Sequence, residues 1–361
     1  MKILIVANAD IGLYKFRKEL LEKLVCEHDV FIALPRGEFF DDLVSIGCHY
    51  IVTDFDRHGT NPVEELKMIL KYKKIIRNVK PDIVFTYTIK PNIYAGIVCA
   101  RLNIPYLANI TGLGTAVENP GIMQLITVRL YKYALRKAQK VFFQNHDNQQ
   151  FMIDRNIVKN SYELIPGSGV NLEKYTVSEY PDGKTIDFAF ISRIMKEKGI
   201  DQYIDMAKVI RAKYPETRFH VCGFCEQDYE TTLKSLHENE TIIYHGLVKD
   251  MSSIYKQMGC IIHPTYYPEG LSNVLLEAAA SGRPIITTDR CGCKEVVDDN
   301  VNGFIVNQRD SIDLIHKVEK FLSLSFEQRK KMGIEGRKKV EAEFDRNIVI
   351  NRYLEELEKI K

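Results

Sequence analysis

Glu269 and Glu277 stand eight positions apart, the first between Pro268 and Gly270 and the second inside the apolar run that leads to Ala278, Ala279 and Ala280. A Glu after Pro and before Gly belongs in the loop entering a helix, with Glu277 about two turns further on. The unpaired backbone N–H groups of such a helix start, here those near Gly270, Leu271 and Ser272, can hold a diphosphate. Carboxylates on either side of it would accept hydrogen bonds from hydroxyls, an arrangement suited to a nucleotide-sugar. In isolation a Glu pair reads as one solvated helix residue and one partner of the helix dipole. The small apolar face and the following Ser281-Gly282 and Pro284-Ile285-Ile286 point to a helix packed tightly between two strands.

A second group of chemical interest follows the apolar run Asp187–Ile191. Arg193 and Lys198 are spaced so that two cations could converge on a diphosphate leaving group, with Gly199 opening the next helix. In the N-terminal half the first apolar run ends at Ala7-Asn8-Ala9-Asp10-Ile11-Gly12. It lacks Gly-x-Gly-x-x-Gly, which argues against a conventional NAD-binding fold. Thr111-Gly112-Leu113-Gly114 follows another apolar run, and Gly112 and Gly114 permit close backbone approach to a ligand. Asp54-Phe55-Asp56 imitates a metal-binding Asp-x-Asp but reads as a loop feature, and nearby Arg57, Asn61 and Pro62 suit either an acceptor border or a structural turn. Cys222-Gly223-Phe224-Cys225 has the spacing of a metal pair, but Cys291 and Cys293 lack the usual spacing of a second pair and Cys222 closes an apolar run, so no metal is expected.

Short apolar runs must position these residues: Ile3–Ala7, Val30–Leu34, Tyr50–Val52, Ile83–Phe85, Tyr106–Ile110 and Val141–Phe143 in the first half. Asp187–Ile191, Arg218–Cys222, Thr241–Tyr244, Cys260–His263, Pro284–Thr287 and Gly303–Val306 follow in the second. Alternation of such runs with helical stretches gives parallel α/β architecture with buried strands. The expected organisation is 1–170 as an N-terminal Rossmann-like domain, 171–184 as linker, 185–340 as a C-terminal Rossmann-like domain, and 341–361 as a terminal helix. Two similar halves imply a cleft where ligands meet the carboxyl ends of strands.

At 361 residues and 45% hydrophobic, the chain can bury two cores. Its net charge of +2 is uneven: residues 1–180 hold 23 Lys and Arg against 19 Asp and Glu, so the first half is the basic one. Lys67, Lys71, Lys73, Lys74, Arg77 and Lys80 lie on one expected helix, and Arg129, Lys132, Arg136, Lys137 and Lys140 on another. These read either as solvated faces or as surfaces for anionic lipid headgroups or a phosphorylated acceptor. Nucleic acid is not expected, because no recognised binding module accompanies the charge. The apolar start is too short for a signal peptide and no run reaches transmembrane length.

From Ser192 to Gly303 the chain resembles the GT-B glycosyltransferases of retaining family 4. The resemblance rests on Glu269-x7-Glu277, on Gly282-Arg283-Pro284-Ile285-Ile286, on Asn302-Gly303, and on Arg193-x4-Lys198-Gly199. It implies a GT-B fold of two Rossmann-like parallel-sheet domains facing a central cleft, with the C-terminal tail crossing back to the first domain. It implies that Arg193 and Lys198 hold donor phosphates, that backbone groups of Leu247 and Val248 meet the base, and that Glu277 takes the ribose hydroxyls. Glu269 would hold sugar hydroxyls, and the N–H groups of Leu271 and Ser272 would face the phosphates. Many members carry a His where Thr111 stands, so no catalytic His is carried over.

The activity implied is metal-independent transfer from a UDP-sugar, with no cofactor, to a polyprenyl-diphosphate-linked saccharide in bacterial capsule, O-antigen or glycan synthesis. The expected location is cytoplasmic, peripheral on the membrane. Alternatives are a nucleotide-sugar 2-epimerase of the same fold, for which no elimination carboxylates stand out, and an inactive nucleotide-sugar-binding scaffold.

Overall fold

The apolar runs of the first half become strands of one parallel sheet, alternating with helices. A computed structural model describes all residues except 54–61, 115–116, 118–119, 160 and 361. The order is β1 (Lys2–Val6), α1 (Asp10–Val25), β2 (Asp29–Leu34), α2 (Phe40–Ser45), β3 (His49–Val52), α3 (Pro62–Val79), β4 (Ile83–Tyr87) and α4 (Ile89–Leu102). Then come β5 (Tyr106–Ile110), α5 (Ile122–Leu135), β6 (Lys140–Phe143), α6 (His146–Asp154) and β7 (Tyr162–Leu164). The sheet order β3-β2-β1-β4-β5-β6-β7 reverses direction of growth between β1 and β4. Every strand pair is parallel. Both faces must therefore be covered, and they are: α3, α4 and α5 pack one face, while α1 and the final helix pack the other.

The second half repeats the plan: β8 (Ile186–Ile191), a 3-10 turn (Lys196–Lys198), α7 (Ile200–Lys213), β9 (Thr217–Cys222), α8 (Glu230–Glu238), β10 (Ile243–Gly246), α9 (Met251–Gln257) and β11 (Cys260–His263). It continues with α10 (Asn273–Ala280), β12 (Ile285–Thr288), β13 (Gly303–Val306), α11 (Ser311–Leu322), α12 (Phe326–Glu343) and α13 (Arg346–Glu358). The order β10-β9-β8-β11-β12-β13 reverses between β8 and β11. Strand β7, short and at a sheet edge, has no counterpart among the apolar runs, because Tyr162-Glu163-Leu164 carries a charge at its centre.

The chain separates into two compact units, one of Met1–Ser168 with Val349–Lys361, the other of Gly169–Ile348. Residues 171–184, expected as a linker, are packed into the second unit. Tyr175 and Tyr180 are buried, Tyr180 donates to the Gly259 carbonyl at 2.8 Å, and Arg283 reaches the Glu179 carbonyl at 3.0 Å. Its polar composition hid two anchoring tyrosines. In the first unit Tyr353 of α13 lies against Phe85 and Phe142 and donates to Asn109. The second expected cationic helix is shorter than its run of charges. Lys140 falls on β6, where Glu163 and Glu356 pair with it at 3.5 and 3.3 Å. Lys80 lies just past α3, with a φ of 52°. Asp54, Asp56, Arg57 and Asn61 fall outside the described residues.

Candidate active site

In the second unit the chain reverses sheet direction between β8 and β11, and the loops leaving those two strands carry Lys198 and Glu269. Ligands in open parallel sheets bind at such switch points, beyond the carboxyl ends of the strands. Gly199 brings the loops together. Its φ is 81°, and a Cβ there would sit 2.1 Å from the Pro264 carbonyl oxygen, so only glycine lets the 3-10 turn lie on the segment leaving β11. The Tyr266 N–H then donates to the Glu197 carbonyl at 2.9 Å and fixes the register.

Lys198 donates to Glu269 Oε1 in a direct ion pair. Burial alone would raise the Glu269 carboxyl, but the Lys198 charge, the neighbouring His263, the Lys198 hydrogen bond and the Arg193 charge outweigh it and hold the group below its ordinary range. His263, at the end of β11, is buried beside them. Burial, then the Lys198 charge, push its imidazole down to about 4, so it is neutral at physiological pH. The ammonium of Lys198 lies 4.7 Å from the centroid of the Tyr267 ring, and the guanidinium of Arg193 lies 5.4 Å from the same centroid. Arg193 is also paired with Glu226, a constraint absent from the sequence reading. Both expected cations thus lie against one aromatic ring, Lys198 tied to Glu269 and Arg193 to Glu226.

Glu269, Gly270, Leu271 and Ser272 lead into α10, whose first residue is Asn273; Gly270, Leu271 and Ser272 are buried. One expectation is corrected here. The Ser272 N–H donates to the Gly292 carbonyl at 2.8 Å and is not turned to a ligand. Gly292 can approach because it has no side chain: a Cβ there would lie 2.8 Å from both Glu269 Cβ and the Gly270 oxygen. The Ser272 hydroxyl makes no cap bond, so the side chain of the cap residue does not cover the first-turn amides of α10.

Glu277, one helix face further on, accepts from the Tyr255 hydroxyl at 3.0 Å. Tyr175 packs edge-on against Tyr255 with centroids 5.9 Å apart. Burial pushes the Glu277 carboxyl up, against the lowering effect of the Tyr255 and Tyr175 hydroxyls and of Lys174 and Arg346. The carboxylate is therefore held by phenols, and among the described residues no cation is bonded to it in the way Lys198 is bonded to Glu269. Leu247 and Val248 follow Gly246 at the end of β10; Leu247 is exposed, and Val248 packs against the α9 and α10 core. Arg283 is buried and donates to the carbonyls of Tyr255, Glu179 and Lys256, which makes it a brace of the Tyr255 segment.

In the first unit Gly12 falls inside the first turn of α1 rather than in a loop, with open space where a Cβ would be. Gly112 and Gly114 follow β5 with φ of 144° and 71°. Sequence reasoning missed Tyr175, Tyr255, Tyr267 and Glu226, since isolated tyrosines and a loop Glu carry no spacing signal. It also missed Thr88, a β-branched residue with φ of 71° at the end of β4, beside the switch point of this sheet.

Two family models match the chain, glycosyl transferases group 1 over residues 173–339 and glycosyl transferase 4-like over residues 2–145. A Campylobacter jejuni N,N'-diacetylbacillosaminyl-diphospho-undecaprenol alpha-1,3-N-acetylgalactosaminyltransferase is 25% identical, over 98% of this chain and 97% of its own length. The Staphylococcus aureus capsular polysaccharide biosynthesis glycosyltransferase CapM is 27% identical over 79% of this chain and 78% of its own. Among solved structures, Anabaena HepE in complex with UDP and glucose superposes with a TM-score of 0.82 at 17% identity, covering 99% of this chain and 100% of that one. With the two-sheet architecture, the Glu269–Glu277 and Arg193–Lys198 motifs and these matches together, the chain belongs to the group 1 glycosyltransferases and has the GT-B fold.

Proposed function

We propose that this glycosyltransferase moves a hexose or N-acetylhexosamine from a UDP-sugar, with retention of configuration, to a polyprenyl-diphosphate-linked saccharide in the synthesis of a bacterial surface polysaccharide or glycan. The observation that carries the reading is the placement of Lys198, Glu269 and Glu277 around the start of α10. Glu277 accepts the ribose hydroxyls, and its phenol partners orient it without neutralising it. The diphosphate lies toward the first turn of α10 and Lys198, with Arg193 beside it. Backbone groups of Leu247 and Val248 meet the base.

As the bond between the anomeric carbon and the phosphate oxygen breaks, negative charge grows on the diphosphate. Lys198 and Arg193 stabilise that charge where it develops. Glu269 holds the sugar hydroxyls, and the departing phosphate oxygen takes the acceptor proton on the same face, so no protein nucleophile is needed. The first unit supplies acceptor contacts near Gly12, Thr88, Gly112 and Gly114. The lipid-linked acceptor is supported by the name of the Campylobacter jejuni relative and implies work at the cytoplasmic membrane surface. No helix among the described residues is long and apolar enough to cross a membrane.

A panel of UDP-sugars, each with and without a polyprenyl-diphosphate-linked saccharide, tests the proposal. Acceptor-dependent release of UDP with a lengthened lipid-linked product supports it. Epimerised donor, or binding with no turnover, would instead indicate a 2-epimerase or a scaffold subunit.

A further inference from the structure

Strand β4 ends at Tyr87 and α4 begins at Ile89, so the chain turns from strand to helix through one residue, Thr88. Its φ of 71° and ψ of 170° lie in a region that only glycine enters without strain. A β-branched residue stays there only where its surroundings fix it. The turn stands at the carboxyl end of β4, beside the point where this sheet reverses direction and where open parallel sheets bind ligands.

Directly beneath the turn lies a closed ring of buried hydrogen bonds. The Thr86 hydroxyl donates to Asn92 Oδ1 at 2.6 Å, Asn92 Nδ2 donates to the Asn109 carbonyl at 2.7 Å, and Asn109 Nδ2 donates to the Thr86 carbonyl at 3.0 Å. Thr86, Asn92 and Asn109 are all buried. The ring ties the first turn of α4 to the ends of β4 and β5, which leaves Thr88 alone to absorb the change of direction. Tyr353, 244 residues further along the chain on α13, donates its hydroxyl to Asn109 Oδ1 and so keeps Nδ2 turned to Thr86. On the opposite face of the sheet, the buried Arg17 guanidinium lies 5.3 Å from the centroid of the Tyr87 ring. A satisfied polar network of this kind adds little net stability over apolar packing, but it fixes a single geometry.

We propose that Thr86, Asn92, Asn109 and Tyr353 are positioning residues for the acceptor: they impose the strained Thr88 turn, and the turn sets where the saccharide of the lipid-linked acceptor lies. The proposal rests on the acceptor reading given above. The Thr88 hydroxyl donates to the Tyr87 carbonyl within the turn, so what the ring sets is the course of the backbone. The loop after β5 is packed on the same turn, since a Cβ on Gly114 would lie 2.7 Å from Ile89 Cδ1. Through one hydroxyl, α13 thereby takes part in the acceptor site as well as covering the sheet.

Tyr353→Phe removes that hydroxyl and keeps the aromatic ring against Phe85 and Phe142. It should lower kcat/KM for a polyprenyl-diphosphate-linked saccharide by about tenfold or more, chiefly through KM. Donor KM and acceptor-free hydrolysis of the UDP-sugar should stay unchanged, because the donor groups lie in the second unit. Thr86→Val, which removes the other ring hydroxyl at nearly the same shape, should give the same split. Thr88→Gly adopts the turn without strain, so its effect on the melting temperature should be more favourable in the unmodified chain than in Tyr353→Phe. The cost of glycine in the unfolded chain cancels in that comparison.

Unchanged acceptor kinetics in both ring variants, or donor hydrolysis that falls in step with transfer, overturns the positioning role. Melts in which Thr88→Gly and Tyr353→Phe simply add overturn it too, and leave the proposed reaction standing if the unmodified chain transfers sugar. Donor hydrolysis by the unmodified chain with no transfer to any lipid-linked saccharide overturns the proposed reaction and the acceptor role together, whatever the melts show.

Discussion

Lys198 and Glu269, 71 residues apart in the chain, form a direct ion pair with the Lys side chain 8% exposed and the Glu side chain 18% exposed. The pair joins the two loops that leave the switch-point strands, so the cation assigned to the leaving group is held in place before any donor arrives. That geometry links the folding of the second unit to its proposed chemistry.

Replacing Lys198 by Ala removes the charge that stabilises the departing diphosphate and should lower kcat on the order of a hundredfold, with a smaller change in donor affinity. It also leaves Glu269 without its cation, and breaking a buried pair costs about 3–5 kcal/mol. Steady-state kinetics on protein shown to be folded by its thermal melt checks this. A normal kcat with only a raised donor KM would contradict the leaving-group role.

Glu269 sets an acid limit on stability. Its carboxyl is depressed in the folded state: burial opposes the shift, but Lys198 and its other neighbours prevail. Its contribution is present above the ordinary carboxylate pKa and is lost as pH falls through the depressed value. Glu269→Gln should flatten the acid side of a stability profile measured by denaturant titration at several pH values. An unchanged profile would show that the pair contributes nothing to folding.

Glu277 behaves in the opposite sense. Burial raises its carboxyl, so its favourable contribution is complete below the ordinary carboxylate pKa and disappears as pH rises through the folded value. At neutral pH Glu277→Gln should therefore raise the melting temperature of the ligand-free protein while weakening UDP binding by roughly 1.5–3 kcal/mol. UDP affinity of the unmodified chain should fall as pH drops into the range where Glu277 protonates. Calorimetry and thermal melts on the same samples test both halves; equal UDP affinity in the variant removes Glu277 from the site.

Gly199→Ala should damage both fold and rate, because its φ is 81° and the added Cβ would meet the Pro264 carbonyl oxygen at 2.1 Å. A loss of about 1–3 kcal/mol is expected, with kcat reduced by displacement of Lys198. Near-normal stability and rate would mean that the two loops are not tied together through this contact.

The sheet strands were largely legible in sequence because buried parallel strands are continuous apolar runs, and Ile3–Ala7 or Cys260–His263 need no partner to be seen. Glu269, Glu277, Arg193 and Lys198 were legible as motifs. Their restraints were not: Glu226 and Tyr175 lie in loops distant in sequence, Tyr255 on α9 and Tyr267 beside Glu269, and all act through contacts that have no periodicity. The exchange of the Ser272 N–H for a bond to Gly292 was equally hidden, since it depends on how closely two loops approach. The 171–184 segment misled because its few buried tyrosines are outweighed by polar neighbours.

Incubating the full chain with a UDP-sugar panel and a polyprenyl-diphosphate-linked saccharide in excess EDTA, then assigning the anomeric configuration of the product by NMR, tests metal-independent retaining transfer. Release of UDP is expected with one sugar added in the configuration it had in the donor, at a rate unaffected by EDTA because Lys198 and Arg193 carry the leaving-group charge. An inverted product, an epimerised donor, or activity that EDTA abolishes and Mg²⁺ restores would contradict it.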